Sequence, residues 1–191
     1  MRILGISGSL RRDSHNTSLL RAAAELVAGD VELELWEGLK AVPPYDADDD
    51  VAEAPAAVAE LRAAVAGADA LLFATPEYNA SVPGQLKNAL DWVSRPIATN
   101  PLRNKPVAVV GASTGAFGAV WSQAELRKVL AAIGARVLDH EVALGNAAAG
   151  FDAAGRLVDD AVRERLRETV DGLVEAAQAR TRARLVASVG A

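Results

Sequence analysis

The sequence predicts an α/β fold of three layers, in which helices cover both faces of a five-stranded parallel sheet. Two observations carry this reading. Short apolar runs alternate strictly with longer segments whose apolar residues recur at helical spacing. Parallel strands need such crossovers, so strict alternation implies a parallel sheet. In addition, the first, third and fourth strands all run into loops rich in Gly, Ser, Thr, Asn or Pro. In a doubly wound sheet, ligands sit outside the carboxyl ends of the strands, at the switch point.

The elements follow in order. Residues 2–6 form a short buried strand that ends at Ser7-Gly8-Ser9. Over residues 16–27, Leu19, Leu20, Ala23, Leu26 and Val27 follow helical spacing, and residues 31–36 alternate as a strand. Residues 55–66 repeat Val58, Leu61 and Val65 on one helical face. Residues 70–74 are a continuous apolar strand ending at Thr75-Pro76, and a helix follows over 84–93 with Pro83 suited to its start. Residues 107–110 form the next strand, closed by Gly111-Ala112-Ser113-Thr114-Gly115. Residues 119–133 form a helix stopped by Gly134. A fifth strand begins over 136–138, and the last helix spans 159–179 with Val162, Leu166, Val170 and Leu173 in one stripe. Five strands of this kind fit the flavodoxin-like order 2-1-3-4-5, whose switch point lies among the three polar loops.

A length of 191 residues fits one domain, expected to span residues 1–180, with residues 181–191 expected to fray. Half the residues are hydrophobic and only 4% aromatic, so the core is built from Ala, Val and Leu. The absence of Cys excludes disulfides, thiolate metal sites and a cysteine nucleophile. A formal charge of −5 argues against an extended nucleic-acid surface. No apolar run approaches the length of a membrane span. Residues 1–6 read as a strand and not as a signal peptide, so the expected location is the cytoplasm.

The loop from Gly5 to Thr17 is neither a G-x-G-x-x-G fingerprint nor a P-loop. It offers the hydroxyls of Ser7, Ser9, Ser14 and Thr17, the Asn16 amide and the Arg11 guanidinium, at the start of a helix whose free N–H groups attract anions. Ser, Asp and Asn before a helix also serve as plain caps, so this loop by itself leaves both readings open. Arg12 and Asp13 are read as solvated, and His15 as a bystander. In the next polar loop, Pro76, Pro83 and Gly84 stiffen the backbone, so that its amides can face a planar ring at little ordering cost.

Taken together, Gly8-Ser9-Leu10-Arg11-x-x-Ser14-x-Asn16, Pro76-Glu77-Tyr78-Asn79-x-Ser81-x-Pro83-Gly84-x-Leu86-Lys87-Asn88 and Gly111-Ala112-Ser113-x-Gly115 resemble the NADPH-dependent FMN reductase family, which includes chromate, quinone and azo-dye reductases. Weaker matching pieces are Pro43-x-Tyr45-Asp46 and Asp152-x-x-Gly155. The resemblance implies FMN as cofactor, with Ser9, Arg11, Asn16 and Thr17 on its phosphate. It sets Pro76, Glu77, Tyr78 and Asn79 along the isoalloxazine ring, and Ser113 and Gly115 at the pyrimidine end. It implies NADPH or NADH as co-substrate, a small-molecule acceptor, ping-pong kinetics and a homodimer or dimer of dimers, with the loops near Tyr45 and Phe117 as donors of surface to the neighbour. The chemistry would lie on the flavin, with no catalytic side chain and no metal. Amides of residues 113–115, near a helix N-terminus, would stabilise negative charge at the pyrimidine end. The family commonly has a Gly pair where Gly118-Ala119 stands here.

Rival readings are a one-electron flavodoxin-type carrier and a non-catalytic nucleotide-binding module, since one fold serves several functions. Trp92 and Trp121 are read as packing residues, and Phe117 as touching either the ring or a neighbouring subunit. His140 is read as a surface residue and Lys87 and Asn88 as capping or pairing groups. The run Asp46, Asp48, Asp49, Asp50 lacks EF-hand spacing and is read as a solvated loop.

Overall fold

A computed structural model describes residues 1–51 and 54–189; residues 190 and 191, part of the expected frayed tail, lie outside the described residues. The element order is β1 (Arg2–Ser7), α1 (His15–Ala24), β2 (Glu32–Trp36), α2 (Ala56–Gly67), β3 (Ala70–Thr75), α3 (Gly84–Val93), β4 (Pro106–Ala112), α4 (Val120–Ala132), β5 (Arg136–Val137), β6 (Val142–Leu144) and α5 (Asp160–Val189). All strand pairs are parallel and the order is β2-β1-β3-β4-β5, with β6 also on β4. This is the expected flavodoxin-like order.

Side chains alternate across each strand, so every central strand feeds two cores. Ile3, Leu72 and Val110 face Leu19 and Leu20 of α1 and Leu166 and Leu173 of α5. Leu4, Leu71, Phe73 and Val109 face Val58 and Leu61 of α2, Leu90 and Trp92 of α3, and Leu126 and Leu130 of α4. Every residue of β3 and β4 is buried, which explains their unbroken apolar runs. Burying each such Leu, Val or Phe stabilises the fold by roughly 1.5–3 kcal/mol before entropy is counted.

Two differences from the sequence expectation have physical causes. The fifth strand is not continuous. It is broken into β5 and β6, making six strand segments in place of five. Arg127 of α4 enters the gap, its Nη2 donating to the Val109 carbonyl of β4 (3.2 Å) and to the His140 carbonyl (2.6 Å). A side-chain guanidinium thus takes acceptors that a continuous edge strand would have used. Burial pushes this guanidinium below its ordinary range, against the pull of Glu141 and Asp139. The last helix also runs ten residues past its expected end at Ala179, to Val189.

Candidate active site

Loops from β1, β3 and β4 meet at the carboxyl ends of these strands. The first loop is pinned from both sides. Gly8 N–H donates to the Ala74 carbonyl at 2.8 Å, and a Cβ on Gly8 would stand 2.9 Å from Leu86 Cδ2 and 3.3 Å from Pro76 Cδ. A side chain at Gly8 would crowd both, so glycine lets the first loop lie this close to the start of the β3–α3 loop. Ser14 caps α1, its hydroxyl accepting from Thr17 N–H at 3.3 Å. The N–H groups of His15 and Asn16, in the first turn, have no intrahelical partner and point along the helix axis as anion donors. Ser7 Oγ accepts from Ser9 N–H (3.3 Å) and from the Thr17 hydroxyl (3.1 Å). Arg11 is exposed, and its Nη2 donates to the Asp13 carbonyl at 2.7 Å.

The β3–α3 loop is a tight turn closed by two bonds between Tyr78 and Ser81, at 3.1 and 3.2 Å. Its centre, Asn79 (φ 52°) and Ala80 (φ 59°), is left-handed, the geometry of a type I′ turn. Asn tolerates that region better than Ala does. Two carboxylates fasten the loop to α4. Glu77 Oε2 accepts from the N–H groups of Trp121 (3.1 Å) and Ser122 (3.2 Å), and Glu125 accepts from the Ser81 hydroxyl at 2.5 Å. Fully buried Thr75 lies 2.9 Å from Ser122 Oγ, a third tie to the same helix.

The β4–α4 loop rests on the chain after β6. Ser113 N–H donates to the Leu144 carbonyl, and Gly115 N–H to Ser113 Oγ, both at 3.0 Å. Gly118 (φ 60°) and Ala119 (φ 63°) are both left-handed. A Cβ on Gly118 would meet the Ala143 carbonyl carbon at 2.5 Å, so no side chain fits there. The methyl of Ala119 is accommodated, buried at the N-cap of α4.

These three loops enclose a cleft of about 200 Å³. Of the residues expected at the site, it brings together Ser9, Arg11, Asn16, Pro76, Glu77, Tyr78 and Ser113, with Ser14, Ala112 and Thr114 from the same loops, and adds His15, which the sequence reading took for a bystander. Thr17, Asn79 and Gly115 stand just outside its lining: Thr17 bonds Ser7, Asn79 forms the turn, and Gly115 bonds Ser113. Asn16 differs most from expectation. Its side chain is buried and exchanges two 2.9 Å bonds with Ala112, leaving its main-chain N–H as its clearest donor toward the cleft. The amides of residues 113–115 are also less free than expected. Those of Ser113 and Gly115 are already bonded, which leaves Thr114, and the α4 N-terminus is capped by Glu77.

Other residues divide between packing and surface. Trp92 is fully buried and donates from Nε1 to the Pro43 carbonyl. Asn88 holds the same carbonyl and the Tyr45 N–H, and the Tyr45 ring packs edge-on to Trp92 at 4.9 Å. Tyr45 thus packs against α3 of the same chain. Lys87 pairs with Asp91 and Asp50 with Arg62, each at 2.8 Å. Asp152 organises a turn by accepting from the Arg156 N–H and guanidinium and from the Ala154 N–H, which together hold its carboxyl below the usual range. Trp121 does not pack inside as expected. It is 51% exposed and lies edge-on to the still more exposed Phe117 at 5.2 Å.

The cleft suits a flat, phosphorylated ligand: unbonded helix N–H groups and an arginine at one end, and a rigid main-chain wall along the side. Comparison with known proteins shows the family. The family model described as NADPH-dependent FMN reductase matches residues 1–149. An NAD(P)H-dependent FMN reductase of Pseudomonas aeruginosa is 43% identical over 174 residues, covering 91% of this chain and 93% of the relative. A 2-hydroxy-1,4-benzoquinone reductase of a Burkholderia species is 37% identical, covering 90% and 93%. Among solved structures, the flavoenzyme NAD(P)H:(acceptor) oxidoreductase FerB of Paracoccus denitrificans superposes with a TM-score of 0.83 at 35% identity, covering 93% and 97%.

Proposed function

From the premise that this chain belongs to the NADPH-dependent FMN reductase family, we propose that it is an FMN-dependent NAD(P)H oxidoreductase that reduces small acceptors. The observation that carries the reading is the convergence of Ser9, Arg11, Pro76, Glu77, Tyr78 and Ser113 on one cleft at the ends of three adjacent strands. FMN bound there supplies the ring that takes hydride from NAD(P)H and returns electrons to the acceptor in a ping-pong cycle.

The chain's own residues bind, orient and shield. The N–H groups of His15 and Asn16, the Ser9 hydroxyl and the Arg11 guanidinium hold the terminal phosphate, with Thr17 bracing Ser7 behind them. The main chain of residues 76–79 lies along the ring, stiffened by the Glu77 and Ser81 ties to α4. Ser113, Thr114 and Gly115 bound the pyrimidine end, where the Thr114 N–H is the donor left for developing negative charge. Quinones are the first acceptors in this reading, with azo compounds and chromate beside them. The working location is the cytoplasm, where reduced nicotinamide nucleotides are supplied.

The active form in this reading is a homodimer or a dimer of dimers. Phe117 and Trp121, exposed beside the Glu77 loop, are the surface that a second subunit would cover. The deciding experiment is extraction of the cofactor from purified protein, with NADH and NADPH oxidation assayed against a quinone and no partner reductase. FMN and direct turnover support the reading. FMN without turnover makes the protein an electron carrier, and no flavin after reconstitution makes it a different kind of nucleotide-binding module.

A further inference from the structure

A second cleft opens on the other side of the first loop, between α1 and the end of β2, and the reading above does not use it. It encloses about 340 Å³ and shares the lining residues Ser9 and Arg11 with the flavin cleft, so the two adjoin. Arg11, Arg12, Arg21 and Lys40 stand around it, and Glu37 is its one carboxylate among the described residues. None of these four cations is in an ion pair among the described residues, so each is free to meet an anion. In a chain with a formal charge of −5, four cations against one carboxylate make the lining of this cleft locally positive. One wall is the indole of Trp36, half-buried and seated so closely over Gly38 that a Cβ there would come within 2.5 Å of the ring.

Resting on the FMN-reductase reading, we propose that this cleft takes the adenosine 2′-phosphate end of NADPH. A phosphomonoester dianion is the ligand that Arg forks and a Lys ammonium recognise together. The flat face of Trp36 offers a stacking surface for the adenine, and Glu37 an acceptor for a ribose hydroxyl. The shared edge at Ser9 and Arg11 lets one dinucleotide reach from here toward the flavin. The cleft therefore selects NADPH over NADH. The same dianion chemistry would also attract the phosphate of FMN itself, and the test separates the two sources.

The experiment uses the FMN-loaded full-length protein and the double variant Arg21→Ala/Lys40→Ala, whose substituted residues do not line the flavin cleft. Direct binding of 2′,5′-ADP and of 5′-AMP is measured beside steady-state kinetics with NADPH and NADH. The wild type binds 2′,5′-ADP more tightly than 5′-AMP, and the double variant loses that difference. Its KM for NADPH rises by about 10–100-fold, the loss of one or two charge-assisted bonds, while KM for NADH and the affinity for FMN stay unchanged. Equal changes for NADH and NADPH, or no preference for 2′,5′-ADP in the wild type, overturn the proposal. So does a fall in FMN affinity, which would assign the cleft to the flavin phosphate. Failure of the underlying reading looks different: the wild type then binds no FMN or oxidises neither nucleotide.

Discussion

Asn16 and Ala112 hold each other by two hydrogen bonds of 2.9 Å, although ninety-six residues of chain separate them. The Asn16 amide donates to the Ala112 carbonyl while the Ala112 N–H donates to the Asn16 amide oxygen, so the start of α1 is locked to the end of β4. Both flanks of the proposed flavin cleft are thereby set against each other. Asn16→Leu strands a buried N–H and a buried C=O, and is expected to cost ~2–4 kcal/mol. Urea unfolding checks the cost, and flavin titration checks the cleft. A loss of flavin affinity without a loss of stability would return the Asn16 side chain to the phosphate.

Arg11 and Arg12 are adjacent and both exposed, yet only Arg11 lines the proposed flavin cleft. Arg11→Ala is expected to weaken FMN by ~1.5–3 kcal/mol, about 10–100-fold, and Arg12→Ala to leave it unchanged. Equal effects in fluorescence titrations would move the phosphate away from the assigned loop.

Ala119 sits at φ 63° and is buried, a conformation that glycine adopts without strain. Ala119→Gly is expected to raise stability by up to about 1 kcal/mol, since relief of the left-handed strain exceeds the added freedom of the unfolded chain. A lower melting temperature in the variant would mean that the methyl contributes more through packing than it costs in strain.

Lys105 is buried at the foot of β4, where its ammonium donates to the carbonyls of Val65, Ala66 and Ala68 at the end of α2. Burial pushes its pKa from 10.5 down to about 8, with Arg180 adding repulsion and Asp69 opposing. Between those two values the unfolded chain binds more protons than the folded one, so stability rises with pH across that window and is level below it. The full effect is on the order of 3 kcal/mol. Urea midpoints measured from neutral pH to about 10 should climb in the wild type relative to Lys105→Met. Parallel profiles would show that Lys105 keeps its ordinary proton affinity.

The exposed Phe117–Trp121 pair leads to the remaining expectation. Light scattering across a dilution series, with quinone reduction followed in the same samples, should show activity falling as the dimer dissociates. Phe117→Ser should shift dissociation to higher protein concentration. A monomer that is fully active at every dilution would remove the second subunit from the site.

The sequence by itself determined the alternation of strands and helices, the parallel order and the three loops at the ligand end. Those properties are written in local pattern. Leu71, Leu72 and Phe73, in a short unbroken apolar run, read as a strand buried on both faces, and the spacing of Val162, Leu166, Val170 and Leu173 as one helical stripe. The motif around Pro76-Glu77-Tyr78-Asn79 likewise located the loop of the cleft. Tertiary structure decided what each polar group in those loops is free to do. Asn16 is spent on Ala112, Glu77 on the start of α4 and Gly115 N–H on Ser113, while Arg127 splits the edge strand at Val109. Trp121 followed the same rule, left at the surface because α4 turns its other face to the sheet. The physical reason is that most of these groups have more than one possible partner, and their partners here lie as far as 44 or 96 residues away in the chain. A hydrogen bond of that kind leaves no periodicity to read, because the choice among partners is made only when the packed sheet brings one of them within reach.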